Sequence, residues 1–294
     1  MKKFLFFPLL AALVACSFIS CKDEDDTTPV ITEPKLVFKF VFDSTQVRLD
    51  NLGNPENVPS NHGAQSPKFN KMSSHYIELA PSMYTLLGEG EKIFLNAETN
   101  AGGSKAIDFS KSYPVGNGQI FYAIPIKNVK PGSYTWLRVS LAYQNYDIKF
   151  RYNLSGTNYD LTGTLASFIG YNTYVSNYKI KDSTVVLNSN KLQGYWSFET
   201  IYNVSQGQAP PGATTVPNPL FASSPVPQGS CVVTGEFETP LFITGTETQD
   251  KVITVSLSTN KSFEWVENST PGYYEPAAGD TVVDMGIRGM NLSY

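Results

Sequence analysis

Charge is scarce in this chain. Asp, Glu, Lys and Arg make up 16% of its 294 residues, against about a quarter in ordinary soluble domains. The balance is acidic, 26 against 22, for a net charge of −4. There is no basic surplus to neutralise phosphates, which argues against nucleic acid as a partner. Histidine is scarcer still, with only His62 and His75, and cysteine is limited to Cys16, Cys21 and Cys231. Helical signals are missing: no window carries an apolar stripe at the 3.6-residue period. At most a short helix is expected near residues 161–168. Catalytic signatures are missing as well. Gly-x-Ser-x-Gly, His-Glu-x-x-His and the Asp-x-Asp-x-Asp run of a calcium loop do not occur. No catalytic residue is assigned, and the expected function is non-enzymatic.

What is present begins at the N-terminus. Lys2 and Lys3 form a positive n-region, and Phe4 to Val14 form an apolar h-region broken only by Pro8. That run is too short for a bilayer span and ends in small residues and cysteines, the layout of a cleaved signal peptide. Leu13-Val14-Ala15-Cys16 and Phe18-Ile19-Ser20-Cys21 both resemble the bacterial lipobox, in which the thiol is acylated and becomes the new N-terminus. The first is the closer match. The second is followed by Lys22-Asp23-Glu24-Asp25-Asp26, which resembles the export signal of surface lipoproteins in Bacteroidota. Cys21 is therefore taken as the lipidation site, with Cys16 as the alternative. Residues 1–20 are then the signal peptide and 21–34 an acidic, Thr- and Pro-rich flexible tether. The resemblance implies an outer-membrane protein anchored by palmitate-type acyl chains and displayed at the cell surface. At about 0.8 kcal/mol per buried CH₂, several such chains make a stable anchor. Removal of Lys2 and Lys3 takes the net charge from −4 to −6. One cysteine, Cys231, remains beside the lipidated one, so no intrachain disulfide is expected. Its strand-like setting, Ser230-Cys231-Val232-Val233, predicts a buried small hydrophobe.

The rest reads as strands. Residues 36–42, 76–79, 92–95, 120–126, 134–141, 178–180, 185–187, 195–200, 231–237, 252–258, 262–267 and 281–287 are β-branched, aromatic or alternating runs. In the run 134–141, Leu137, Val139 and Leu141 share one face, with Trp136, Arg138 and Ser140 on the other. Alternation likewise sets Trp196 and Phe198 against Tyr195 and Ser197, with the Trp196 face expected in the core. Many short strands between Gly, Pro, Asn and Asp turns predict an all-β, antiparallel sandwich of the immunoglobulin-like kind. Residues 206–229 hold six prolines and form either an interdomain linker or a long loop. The piece beyond, 230–294, has only about four strands, thin for its own core. One domain over 35–294 with a long Pro-rich loop is the preferred reading.

Candidate binding residues follow from composition. Tyr and Asn crowd the stretch 143–178, and Tyr143, Tyr146, Tyr171 and Tyr174 are selected as ligand-binding candidates. Exposed aromatic faces beside amides suit sugar rings, so a glycan is an expected partner, with a protein of a surface complex as the other. Read without that function, the same tyrosines are sandwich core. His62 and His75 are the only metal candidates, copper being the fitting ion; two ligands make an incomplete site, and by themselves they read as surface residues. Glu199, Glu236, Glu238, Glu264 and Glu267 read as the solvent faces of strands.

Several segments in order resemble the MbnP-like family, secreted β-sandwich proteins associated with copper. They are His75-Tyr76-Ile77-Glu78-Leu79, Val129-Lys130-Pro131-Gly132-Ser133-Tyr134, Asn190 to Phe198, and Gly229-Ser230-Cys231. The resemblance implies a one-domain sandwich and, as the alternative to a binding or adhesion module, a copper-handling lipoprotein. That family's copper ligands have no counterpart among these residues.

Overall fold

Alternating apolar and polar residues, rich in β-branched and aromatic side chains, build nearly every element. The computed structural model describes residues 33–49, 54–209, 231–287 and 289–294. Cys16, Cys21 and the tether up to residue 32 lie outside the described residues. Glu33–Tyr294 is one compact unit. It is an all-β sandwich, with no α-helix among the described residues.

In chain order the strands are β1 (Lys35–Asp43), β2 (His62–Gln65), β3 (Lys68–Ala80), β4 (Glu91–Leu95), β5 (Glu98–Thr99), β6 (Ala106–Asp108), β7 (Ile120–Pro125), β8 (Gly132–Leu154) and β9 (Thr157–Phe168). They continue with β10 (Asn172–Lys179), β11 (Thr184–Leu192), β12 (Tyr195–Glu199), β13 (Val204–Gln208), β14 (Cys231–Ile243), β15 (Lys251–Ser258), β16 (Phe263–Val266), β17 (Thr281–Met285) and β18 (Met290–Ser293).

The 23-residue β8 organises the molecule. β3 runs along one edge of it. On the other edge β14 pairs with Gly132–Leu141, and β9 takes over from Tyr143 onward. β8 therefore exchanges one neighbour for the next along its length and joins the two halves of a single large sheet. Beyond β14 the sheet continues through β18, β15, β1 and β7; beyond β9 it continues through β12 and β13. β1 lies parallel to β15, with Leu36 opposite Lys251. The large sheet curls until its edges meet. Phe94 of β4 stands 5.1 Å from Phe121 and 4.9 Å from Tyr122 of β7. Nearby, Met72 and Val115 exchange backbone hydrogen bonds of 2.9 and 2.8 Å.

The main core fills this curl. Leu137, Val139 and Leu141 are fully buried there, on the face that alternation assigns them, with Phe38, Phe40, Val233 and Val255. Cys231 is buried in the same core, as its sequence setting predicts. A sheet of order β17-β16-β2 adds Phe263 and Trp265. Another, β11-β10-β6-β5, covers the back of β8, β9 and β12 and encloses Tyr143, Phe168, Tyr178 and Tyr195.

Three expectations are corrected. Residues 161–168 belong to strand β9, because Leu161, Leu165 and the alternating small residues pair directly with β8. Residues 204–208 form β13 on β12, so the Pro-rich stretch starts after a strand and not at 206; its part from 210 onward lies outside the described residues. On β12 the alternation holds and both faces are covered: Trp196 and Phe198 pack against the main core as expected, but the more deeply buried side is the other one. The back sheet covers Tyr195 and Ser197, which are buried, whereas Trp196 and Phe198 are half-buried. The Ser197 hydroxyl is bonded to that of Tyr178.

Candidate functional site

β8 and β9 outrun their neighbours. β3 stops opposite Asp147, and β12 covers β9 only as far as Thr164. The remainder is a two-stranded ribbon whose facing pairs share a side: Phe150 with Leu161, Tyr152 with Tyr159. That side forms one bank of a 650 Å³ groove, closed at the other by Phe198, Thr200, Tyr202 and Asn203. The volume is that of an ordinary small-ligand site. Tyr152 is 42%, Tyr159 46% and Tyr202 76% exposed. Phe198 meets Phe150 edge-on at 5.4 Å and lies flat over Gly163, where a Cβ would come within 2.3 Å of its ring. The far bank is set by Thr200, whose Oγ1 accepts from the N–H groups of Tyr202 and Asn203, both at 3.2 Å. Beyond Phe198 a second hollow of 370 Å³ continues past Trp196 toward Tyr274 and Val282.

The opposite side of the ribbon is a polar clamp. Arg151 binds Asp160 through two bonds of 2.6 and 3.0 Å, and its guanidinium lies 3.3 Å from the Tyr273 ring centroid. Its backbone N–H donates to Tyr274 O at 2.7 Å. The hydrogen bonds to Arg151 hold the Asp160 carboxyl below its ordinary range. The ribbon is thus held rigid from behind while its front offers aromatic rings, with amide and hydroxyl groups at the rim. Such a surface suits a ligand with flat apolar faces and polar edges.

Of the selected tyrosines, two are core and the expectation is corrected. Tyr143 is 2% and Tyr146 0% exposed. Tyr143 packs on Phe109 and Phe168, and Tyr146 donates to Met285 O at 2.5 Å. Tyr171 is half-buried and donates to Glu98 Oε1 at 3.0 Å; Tyr174 is half-buried on β10. The four are not gathered into a site. The exposed pair, Tyr152 and Tyr159, lies in the same Tyr/Asn-rich stretch. What separates them is strand length: they sit where β8 and β9 have left the cover of the other sheets.

The histidines are also not brought together. His75, on β3, is fully buried, so the surface reading is corrected for it. Its Nε2 stands 3.3 Å from Glu98 Oε1 without a hydrogen bond, and its ring is 5.6 Å from that of Tyr171. Burial pushes the Glu98 carboxyl up. Its contacts with His75, Lys105 (2.7 Å) and Tyr171 outweigh that and hold it at about 2. His62, on β2, is half-buried with Nδ1 against Glu264, which also pairs with the buried Arg48. Each histidine faces a different carboxylate in a different sheet. Among the described residues no group of three or more His, Cys, Asp or Glu side chains is placed to hold a metal ion, so these residues do not make the three- or four-ligand set of a protein copper or zinc centre.

Two glutamates read as solvent-facing are buried, Glu199 at 8% and Glu264 at 3% exposure; Glu236 and Glu238 are exposed and Glu267 half-buried. Glu199 accepts from the N–H groups of Lys181 (2.9 Å), Asp182 (3.2 Å) and Ser183 (3.1 Å) and from the Ser183 hydroxyl (2.9 Å). It ties the β10–β11 turn to β12.

No protein-family model matches the chain, and neither a curated protein nor a solved structure is similar to it.

Proposed function

We propose that this protein is a cell-surface, outer-membrane lipoprotein, acylated at Cys21, that acts as a non-enzymatic binding module and takes a glycan in the aromatic groove of the β8–β9 hairpin. The observation that carries the binding role is the groove itself: Tyr152, Tyr159 and Tyr202 stand exposed over a floor of Phe150 and Phe198. Large aromatics left in water at a clamped, rigid site favour recognition over packing. The Thr200 and Asn203 rim supplies the polar groups that sugar hydroxyls require. The lipobox-like Cys21 and the acidic run after it support the location.

A glycan array followed by calorimetric titration tests the role. Tyr152→Ala and Tyr159→Ala are each expected to weaken binding about tenfold, the ~1.4 kcal/mol of one stacked ring, with an unchanged melting temperature. An empty array would overturn the glycan, and groove variants that still bind normally would overturn the groove. Stoichiometric copper that is lost in His75→Ala would instead favour the copper-handling reading. For the location, Cys21→Ala is expected to abolish membrane retention and protease treatment of intact cells to release the domain. Retention lost on Cys16→Ala instead would move the lipidation site.

A further inference from the structure

Three large apolar side chains stand in water on one short loop. Between β3 and β4, Met83 is 54%, Tyr84 84% and Leu86 47% exposed. The loop is firmly held. Leu87 within it is fully buried beside Tyr76 and Val232. Beneath it, the buried Glu78 accepts from the N–H groups of Gly88 at 2.6 Å and Gly90 at 3.2 Å. Glu78 pairs with the buried Arg138 at 3.3 Å, and Arg138 reaches Met83 O at 3.4 Å. An interior ion pair is costly to desolvate; here it fixes a loop whose outward side chains stand exposed among the described residues. An apolar patch held in place this way marks an interaction surface.

Its position selects the partner. The loop lies at the end of the sheet where the domain begins. There β1 starts opposite the end of β7 and the start of β15. A series of bonds connects the two: Ile126 N donates to Pro34 O at 2.9 Å, Lys130 N to Glu91 Oε1 at 3.2 Å, and Thr135 Oγ1 to Pro81 O at 2.8 Å. Cys21 precedes Glu33 by twelve residues, a length that spans at most about 40 Å. An acylated Cys21 therefore keeps this end of the domain close to the bilayer. The groove, at Phe150–Leu154, is at the other end of β8, roughly 50 Å from Trp136 along the strand. Tyr at headgroup depth, aliphatic side chains at the acyl boundary and lysines at the phosphates form the usual interfacial set. The exposed Lys92 and Lys130 flank the same end, beside Lys127, which pairs with Glu33.

We infer that the Met83–Leu86 loop is a membrane seat: it rests in the lipid interface of the bilayer that holds the acyl anchor and orients the domain with its groove outward. This rests on the lipoprotein reading. The acylated full-length protein is reconstituted in vesicles of phosphatidylethanolamine and phosphatidylglycerol, with a nitroxide on Tyr84→Cys or, at the hairpin tip, on Thr157→Cys; Cys231 is buried and escapes labelling. The label at 84 is expected to be several-fold more accessible to oxygen than to a water-soluble nickel chelate, and the label at 157 the reverse. A label at 84 as open to the chelate as the one at 157 overturns the seat. A label shielded from both reagents puts protein there and overturns it too. Mass spectrometry of Cys21 in the same sample separates the two readings: acylated Cys21 with a wet loop defeats the seat alone, and unacylated Cys21 defeats both.

Discussion

Glu199 replaces three backbone partners that a turn of this kind otherwise takes from water. Burial pushes its pKa up, and the N–H groups of Lys181, Ser183 and Asp182 with the Ser183 hydroxyl more than offset this, so the carboxyl sits below its ordinary range. Glu199→Ala leaves those N–H groups without their acceptor and is expected to cost about 1.5–3 kcal/mol in urea unfolding. Glu98 gives the clearer pH signature. Its folded pKa of about 2 lies below the ordinary 4.5. Its contribution to stability is therefore complete above pH 4.5 and is lost as the pH falls toward 2. Glu98→Gln is expected to flatten the acid limb of stability against pH in that window and to leave neutral pH behaviour nearly parallel to wild type. Neither role was legible in the sequence. Alternation tells which face Glu199 shares with Tyr195 and Ser197, but a covered polar face looks like a solvated one until the covering sheet, supplied by β5, β6, β10 and β11, is in place. His75 was misread for the same reason: its carboxylate comes from a strand two residues long.

At the scale of elements, the apolar alternation of Leu137, Val139 and Leu141 marked β8 correctly, yet its full extent was hidden. Tyr152 to Leu154 are mixed, because a ribbon beyond the sheets does not have to bury one face. The site belongs to that hidden extension, which is why composition found the Tyr/Asn-rich stretch and selected the wrong members of it. Gly163 is the element's most exposed point of failure. Gly163→Val drives a side chain into the Phe198 ring. The expected result is a loss of about 1–3 kcal/mol together with loss of ligand binding, since the ring that moves is the groove floor. Chemical denaturation and titration on the same sample check both.

The largest sheet is one continuous hydrogen-bonded path from β13 to β7, and the two smaller sheets pack on it, so the domain is expected to unfold as a unit. Phe40 is the place to test this: it is fully buried and stacks on Phe121 at 4.7 Å with ring planes 3° apart. Phe40→Ala is expected to cost about 3–5 kcal/mol. Fluorescence from Trp136 and Trp196, in the large sheet, and from Trp265, in the three-stranded sheet, should shift to the same lower midpoint. Separate midpoints would divide the chain into independently unfolding parts.

The parallel pairing of β1 with β15 also sets an order in time. The strand Lys35–Asp43 is delivered first, and β7 closes one of its edges once residue 125 has arrived. Its other edge has no neighbour until Ser258 follows, 215 residues after its partner Asp43. At about 5–20 residues per second of synthesis that is a wait of roughly 10–40 s, during which Leu36, Phe38 and Phe40 face solvent from an open strand. Completion of the sheet is then a long-range closure and slow by its topology. A sheet with this pairing stays open along β1 until β15 has arrived, so the fold is completed from its C-terminal strands.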